Sequence, residues 1–266
     1  MKSRRDLMRL AGPVGLAAAL PAIGGGQALA REAGSTADCG LADVYQRELG
    51  FLAPMSSPAS DPTVSGGASR HEEVAKAFRL LYDAPRGGSA WDVACYFRDL
   101  TARNQTGEPY NWEWKTRANP LIVGLFGLTQ ALPDTGDRTP WCAAFVSFCL
   151  YASGQVSART ASALGYRKYN GPRVEEPKIG DIVLFQRLGA KYRNNGHVGF
   201  FAGWEKDGKG QPTGRLLVLG GNQGTALYGV SDDRLGGGAV VTSPWPVKSA
   251  GYELIGFWRP VTLKDA

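Results

Sequence analysis

From Lys178 onward the chain changes character. It becomes a series of short runs, "GDIVLFQR", "HVGFFAGWE", "GRLLVLGG", "GGAVVTSPW" and "YELIGFWRP", each β-branched or aromatic and each bounded by Gly, Pro, Asn or Asp. Short runs with punctuation of this kind predict the strands of an antiparallel sheet. The part before them reads as helical. Ser69-Arg70-His71-Glu72 fits a capping box ahead of "EEVAKAFRLLYDA", "AWDVACYFRDLT" follows the Gly87-Gly88 break, and "NPLIVGLFGLTQAL" reads as a short buried helix. Between the last two lies "NQTGEPYNWEWKTR", polar and rich in turn residues. Helices first and strands afterwards predict an α+β arrangement. The 36 glycines suit many tight connections, where positive φ costs little only for Gly. No repeat of fixed period is visible.

The first thirty residues form a segment of another kind. A basic start, a moderately apolar run broken by Gly and Pro, and the small-residue exit Ala28-Leu29-Ala30 predict a cleavable signal. Within it Ser3-Arg4-Arg5-Asp6-Leu7-Met8 is similar to the twin-arginine signal, so a periplasmic or extracellular location is expected. The run is too short and too broken to span a bilayer, and no other stretch is long enough to do so. Lys2, Arg4, Arg5 and Arg9 against Asp6 give this segment half of the formal net charge of +6. The mild excess left suits an anionic envelope and lacks the clustered cations of a nucleic-acid binder. Residues 31–69, rich in Ser, Ala, Gly, Pro and Asp, read as a flexible lead-in, and residues 70–89 as an accessory helical segment.

Four cysteines are present: Cys39, Cys95, Cys142 and Cys149. On one helix Cys142 and Cys149 stand about 10.5 Å apart along the axis, too far for a bridge. Cys39 and Cys95 are the pair that a disulfide could join while leaving Cys142 free. No Cys or His pair has ligand spacing, so neither metal nor cofactor is expected.

The chemistry concentrates in "TPWCAAFVSFCLYASG". Thr139 as N-cap, Pro140 at the first helical position and Gly154 at the C′ position would place Cys142 in the opening turn of a helix. There unpaired amides and the helix dipole favour thiolate over thiol, lowering the sulfur's pKa, and the same amides can donate to an oxyanion beside it. Of the two histidines, His71 falls in a polar helix start, whereas His197 opens the strand "HVGFFAGWE" behind a loop. Alternation puts His197, Gly199 and Phe201 on one face, with Val198 and Phe200 on the other. A third group should hold the imidazole. Asn222 in "GGNQG" is the first candidate, read equally well as a turn residue tolerating left-handed geometry, and Gln223 is the second. Cys149, two turns below Cys142, reads as a core thiol. Trp141, Asp137 and Gln223 are expected near the substrate, with Tyr166, Trp204 and Arg138 as weaker candidates for the groove.

Taken together, "TPWCAAFVSFCLYASG", "EPKIGDIVLFQR", "GHVGFFAGW" and "LVLGGNQG" resemble the CHAP and NlpC/P60 superfamily of cysteine amidohydrolases and peptidases, over roughly residues 90–260. The resemblance implies a papain-like fold, with the nucleophile helix packed on an antiparallel sheet and a hydrolase domain over 90–262. It further implies Cys142 as nucleophile, His197 as base and Asn222 as the orienting residue. The implied substrates are peptidoglycan amides, in the stem peptide or between sugar and peptide. A catalytically silent envelope-binding module and an acyl or peptide transferase using the same Cys-His pair are the competing expectations.

Overall fold

The five β-branched runs and one short extra strand pair into a single antiparallel sheet in the computed structural model, which describes residues 69–224 and 238–264. The strands are β1 (Arg173–Val174), β2 (Ile182–Arg187), β3 (Gly196–Lys206), β4 (Pro212–Gly224), β5 (Gly238–Pro246) and β6 (Tyr252–Trp258), in the order β1-β6-β2-β3-β4-β5. Four α-helices precede them among the described residues: α1 (His71–Tyr82), α2 (Ala90–Arg98), α3 (Pro120–Leu125) and α4 (Cys142–Ala152). The architecture is α+β, as the order of patterns predicted.

Local chemistry explains the boundaries. The capping box of α1 sits one residue later than Ser69 would place it: Arg70 is the N-cap and its N–H donates to the Glu73 carboxylate at 3.1 Å. Ser69 is drawn away because its hydroxyl donates to Ala118 O at 2.7 Å. At α2 Ser89 is the N-cap, exchanging hydrogen bonds with Asp92. At the far end of α4, Gly154 takes φ 75°, its N–H donates to Tyr151 O, and Gln155 N–H donates to Leu150 O. That pair of bonds is a Schellman closure, which requires the left-handed residue that glycine supplies.

The helix α4 is buried on all sides from Cys142 to Leu150, so it must lie between two layers. One is α1–α3, which contributes Phe78, Leu81, Phe97 and Ile122. The other is the sheet face carrying Leu184, Val198, Phe200 and Leu219, and all belong to one apolar cluster. Helix α1, expected as an accessory, therefore shares the main core. The opposite face of the sheet has its own cluster, Val183, Phe185, Phe201, Leu216, Val218 and Phe257, built from strand residues alone. Curling makes this feasible. Trp245 on β5 meets Tyr252 on β6 at 5.2 Å between ring centroids, although three strands lie between theirs. A flat sheet would separate them by about 19 Å, four strand spacings.

No helix among the described residues is long and apolar enough to cross a membrane. Cys39 and the signal segment lie outside the described residues. Cys95, half-buried on α2, is a free thiol, as are Cys142 and Cys149.

Candidate active site

Cys142 is the first residue of α4, with Trp141 rather than Thr139 in the N-cap position. The helix starts later than Thr139 and Pro140 suggest because Asp137 and Arg138 sit in a 3₁₀ turn and Thr139 is extended. The Thr139 hydroxyl is also engaged with Thr135, accepting from its N–H at 3.2 Å and lying 2.8 Å from its hydroxyl. The consequence for the sulfur is the one expected of a helix start: backbone N–H groups of Cys142 and Ala143 face it. A third donor is the N–H of Val198, the residue following His197. The pairing of β3 with β4 begins only at Phe200↔Leu219, so the opening of β3 is free of that ladder where the sulfur reaches it. Burial nevertheless outweighs the three donors. Cys142 is only 5 % exposed, and its thiol is pushed up rather than down, which corrects the expectation of a thiolate in the free protein.

His197 stands opposite Phe185 of β2, on the inner side of the curled sheet, while Val198 points the other way into the main core. Its ring lies flat against Trp245, with centroids 4.5 Å apart and planes 5° apart, and Trp245 in turn packs on Phe185. Burial holds the imidazole down to about 4, against a smaller upward pull from Gln223, so the ring is neutral at physiological pH. Its Nε2 is buried without a hydrogen-bond partner. An orphaned buried nitrogen at a site of this kind is unusual and points to a functional constraint.

The residue at the imidazole is Gln223. Between Gly220↔Val241 and Gln223↔Ala239 the β4–β5 register shifts, three steps on β4 against two on β5. The surplus residue forms a bulge, and Asn222 has φ 55°, a left-handed conformation that Asn tolerates better than most residues. The bulge reverses the alternation and brings Gly220 and Gln223 to one face. A Cβ added at Gly220 would stand 3.4 Å from His197 Nε2 and 3.3 Å from Gln223 Nε2, so this glycine leaves the gap where the two side chains meet. Gln223 Oε1 accepts from Ser243 Oγ and Trp245 Nε1, each at 2.7 Å, and Nε2 donates to the carbonyls of Val218, Gly220 and Val241. Asn222 instead places its Oδ1 beside Gly238, where Glu113 Oε1 also lies. Gln223 thus lies beside the imidazole, while Asn222 takes the left-handed backbone conformation of the bulge.

The three residues expected at the substrate are buried in this arrangement. Trp141 is 0 % exposed and its indole N–H donates to Glu113 Oε1 at 2.9 Å. Asp137 is also 0 % exposed, its carboxylate accepting from Trp114 N–H and Asn119 N–H at 2.9 and 2.8 Å. Gln223 is buried within its amide network. Tyr166 is buried with its hydroxyl 2.8 Å from Ser147 Oγ, and Trp204 is exposed.

Sequence reading missed Trp245, Ser243, Tyr252 and Glu113. The first two alternate on β5, but nothing in the string says that β5 curls over β3. Glu113 hides in the turn-rich "NWEWK" stretch. Burial pushes its carboxyl up to about 7; the hydrogen bond from Trp141 lowers it and nearby Asp137 raises it. A cavity of about 270 Å³ lined by Phe78, Leu81, Phe148 and Tyr151 lies at the opposite end of α4 and is separate from this chemistry. Among the described residues no three His, Cys, Asp or Glu side chains converge as a metal site.

In comparison with known families, the model described as the CHAP domain matches residues 134–222, a span that contains Cys142 and His197 and ends on Asn222. No curated protein and no solved structure gives a match.

Proposed function

From the match of residues 134–222 to the CHAP domain model, and the peptidoglycan amidase or peptidase chemistry it suggests, we propose that Cys142 and His197 hydrolyse an amide of peptidoglycan through a thioester. What supports this reading is that Cys142 opens α4, where the backbone N–H of Val198, the residue after His197, acts on its sulfur together with those of Cys142 and Ala143.

The mechanism follows from the resting charge states. Burial keeps both the thiol and the imidazole neutral, so proton transfer accompanies attack rather than preceding it. The sulfur forms a bond to the amide carbonyl carbon as its proton passes to His197. The carbonyl π pair moves onto the oxygen, and helix-start N–H groups can donate to the resulting oxyanion. Collapse expels the amine with the proton from His197 and leaves an acyl-enzyme. Water, deprotonated by the same ring, then releases the acid and restores the thiol. Gln223 acts as a positioning residue, and Trp245 holds the ring plane. We place this reaction outside the cytoplasm, after export directed by the twin-arginine-like start.

The test is release of new amino groups from purified sacculi. The parent protein is expected to release them, and Cys142→Ser and His197→Ala to lose more than about a thousandfold in rate while retaining the parent's circular dichroism. Turnover retained in Cys142→Ser would overturn the assignment. The near-complete burial of sulfur and ring also suits a silent binding module; binding of sacculi by a parent protein that releases no amine would establish that alternative. Mass spectrometry of the products identifies the bond.

A further inference from the structure

We infer that the loop joining β2 to β3 forms a cationic wall of the active-site face and selects carboxylate-bearing peptides over their amidated forms. The inference rests on the peptidoglycan reading and specifies the substrate class for that site.

The wall belongs to the imidazole's side of the sheet. Phe185 faces His197 across the β2–β3 ladder, and Arg187 lies two residues further on, hence on the same face and about 7 Å along the strand. Arg187 is paired across the sheet with Tyr252, whose ring packs on Trp245, the residue stacked on His197. Both ends of the site reach Tyr252 electrostatically. Burial pushes its phenol up, Arg187 pulls it down, and the Cys142 sulfur pushes it up again. Arg187 and the Cys142 sulfur therefore both act on Tyr252, which packs beside the ring stacked on His197.

The loop is built to hold charge in place. Residues 186–197, "QRLGAKYRNNGH", carry Arg187, Lys191 and Arg193 and contain no carboxylate. The Arg187 guanidinium lies 3.8 Å over the Tyr192 ring and the Lys191 ammonium 5.7 Å from it. Backbone bonds close the loop at Arg187 N–H to Asn195 O, Tyr192 N–H to Gly189 O and Asn195 N–H to Tyr192 O. From below, the Gln186 amide donates to Arg193 O and Asn195 O, and Arg167 donates to Gln186 Oε1 at 2.6 Å. None of Arg187, Lys191 and Arg193 forms an ion pair among the described residues. The carboxylate on β6, Glu253, falls on the other face by alternation and is engaged by Lys248 at 3.0 Å. Three unneutralised cations held by a short, internally bonded loop form a standing positive field at the imidazole's end of the β2–β3 ladder. Such a field attracts an anionic ligand without reorganisation.

The test uses the Cys142→Ala full chain, so that binding is read without turnover, with two synthetic stem peptides: one with free side-chain and terminal carboxylates, one with the same groups amidated. Titration calorimetry at low salt is expected to show the acid form bound about tenfold tighter, a preference that shrinks at 0.5 M salt as screening shortens the field. Adding Arg187→Gln, or Lys191→Gln with Arg193→Gln, should bring the ratio within about twofold of unity while affinity for the amidated peptide stays unchanged. The exposed pair Lys191 and Arg193 keeps the test valid should Arg187→Gln disturb the loop. Equal binding of both peptides by Cys142→Ala, or a preference that survives the substitutions, would overturn the inference, as would stronger competition by inorganic polyphosphate than by the acid peptide. Failure of the parent chain to cleave sacculi would instead remove the hydrolase reading and leave this binding result standing.

Discussion

Burial decides the charge of the groups that matter at the residue scale, and it acts on His197 and Glu113 with opposite consequences. The folded chain keeps His197 neutral down to about 4, whereas an ordinary histidine protonates near 6.5. Its contribution to stability is present above pH 6.5 and is lost as pH falls towards 4. Glu113 keeps its proton up to about 7 against an ordinary 4.5, so its contribution is present below pH 4.5 and is lost as pH rises through 7. Between pH 7 and pH 5 each changes by about 2 kcal/mol, in opposing directions, and the two nearly cancel. Urea titrations should show the balance. His197→Gln is expected to gain stability on acidification from pH 7 to 5, and Glu113→Gln to lose it; identical pH slopes for parent and both variants would refute the account. The setting of Cys142 and of His197 was legible in the sequence, a cysteine at a helix start and a histidine at a strand start. The sulfur's elevated pKa was not, because the helix-start donors are local whereas the burial that outweighs them comes from distant segments.

Among the elements, the β4 bulge links backbone shape to chemistry. If Asn222 serves as the left-handed residue, Asn222→Gly should retain activity within about threefold, because Gly enters that conformation freely. Asn222→Val should cost about 1–2 kcal/mol in a thermal melt, since a β-branched side chain resists positive φ. Gln223→Ala should lower kcat at least about tenfold and move the acid limb of the pH–rate profile, with little change in KM. An Asn222→Gly variant as impaired as Gln223→Ala would return the orienting role to Asn222. The Schellman glycine permits a cleaner measurement. A Cβ at Gly154 meets nothing within 4 Å, so Gly154→Ala isolates the conformational cost, about 1 kcal/mol or 2–4 °C in Tm. All five major strands were legible from β-branched runs between Gly and Pro, and the end of α4 from a single glycine. Its start was not, because Thr139, an apt N-cap in isolation, is captured by Thr135. The bulge escaped notice because strict alternation has no place for a surplus residue.

The whole molecule depends on two features that no single segment reveals. One is the union of α1 with the core through Phe78 and Leu81. Phe78→Ala should cost about 3–5 kcal/mol, and a chain starting at Ala90 should melt without the cooperative transition of one starting at Ser69. The other is the curl of the sheet, which lays the Trp245 indole flat on the imidazole of His197. Periodicity assigns residues to faces but is silent on curvature, so the two ends of this contact, 48 positions apart, gave no hint of each other. That stacking supplies an optical gauge. Imidazolium quenches indole emission far more strongly than imidazole does, so the part of the fluorescence that vanishes in Trp245→Phe should dim with the titration of His197 itself. Light emitted by one indole would then follow the proton on His197, with no label attached.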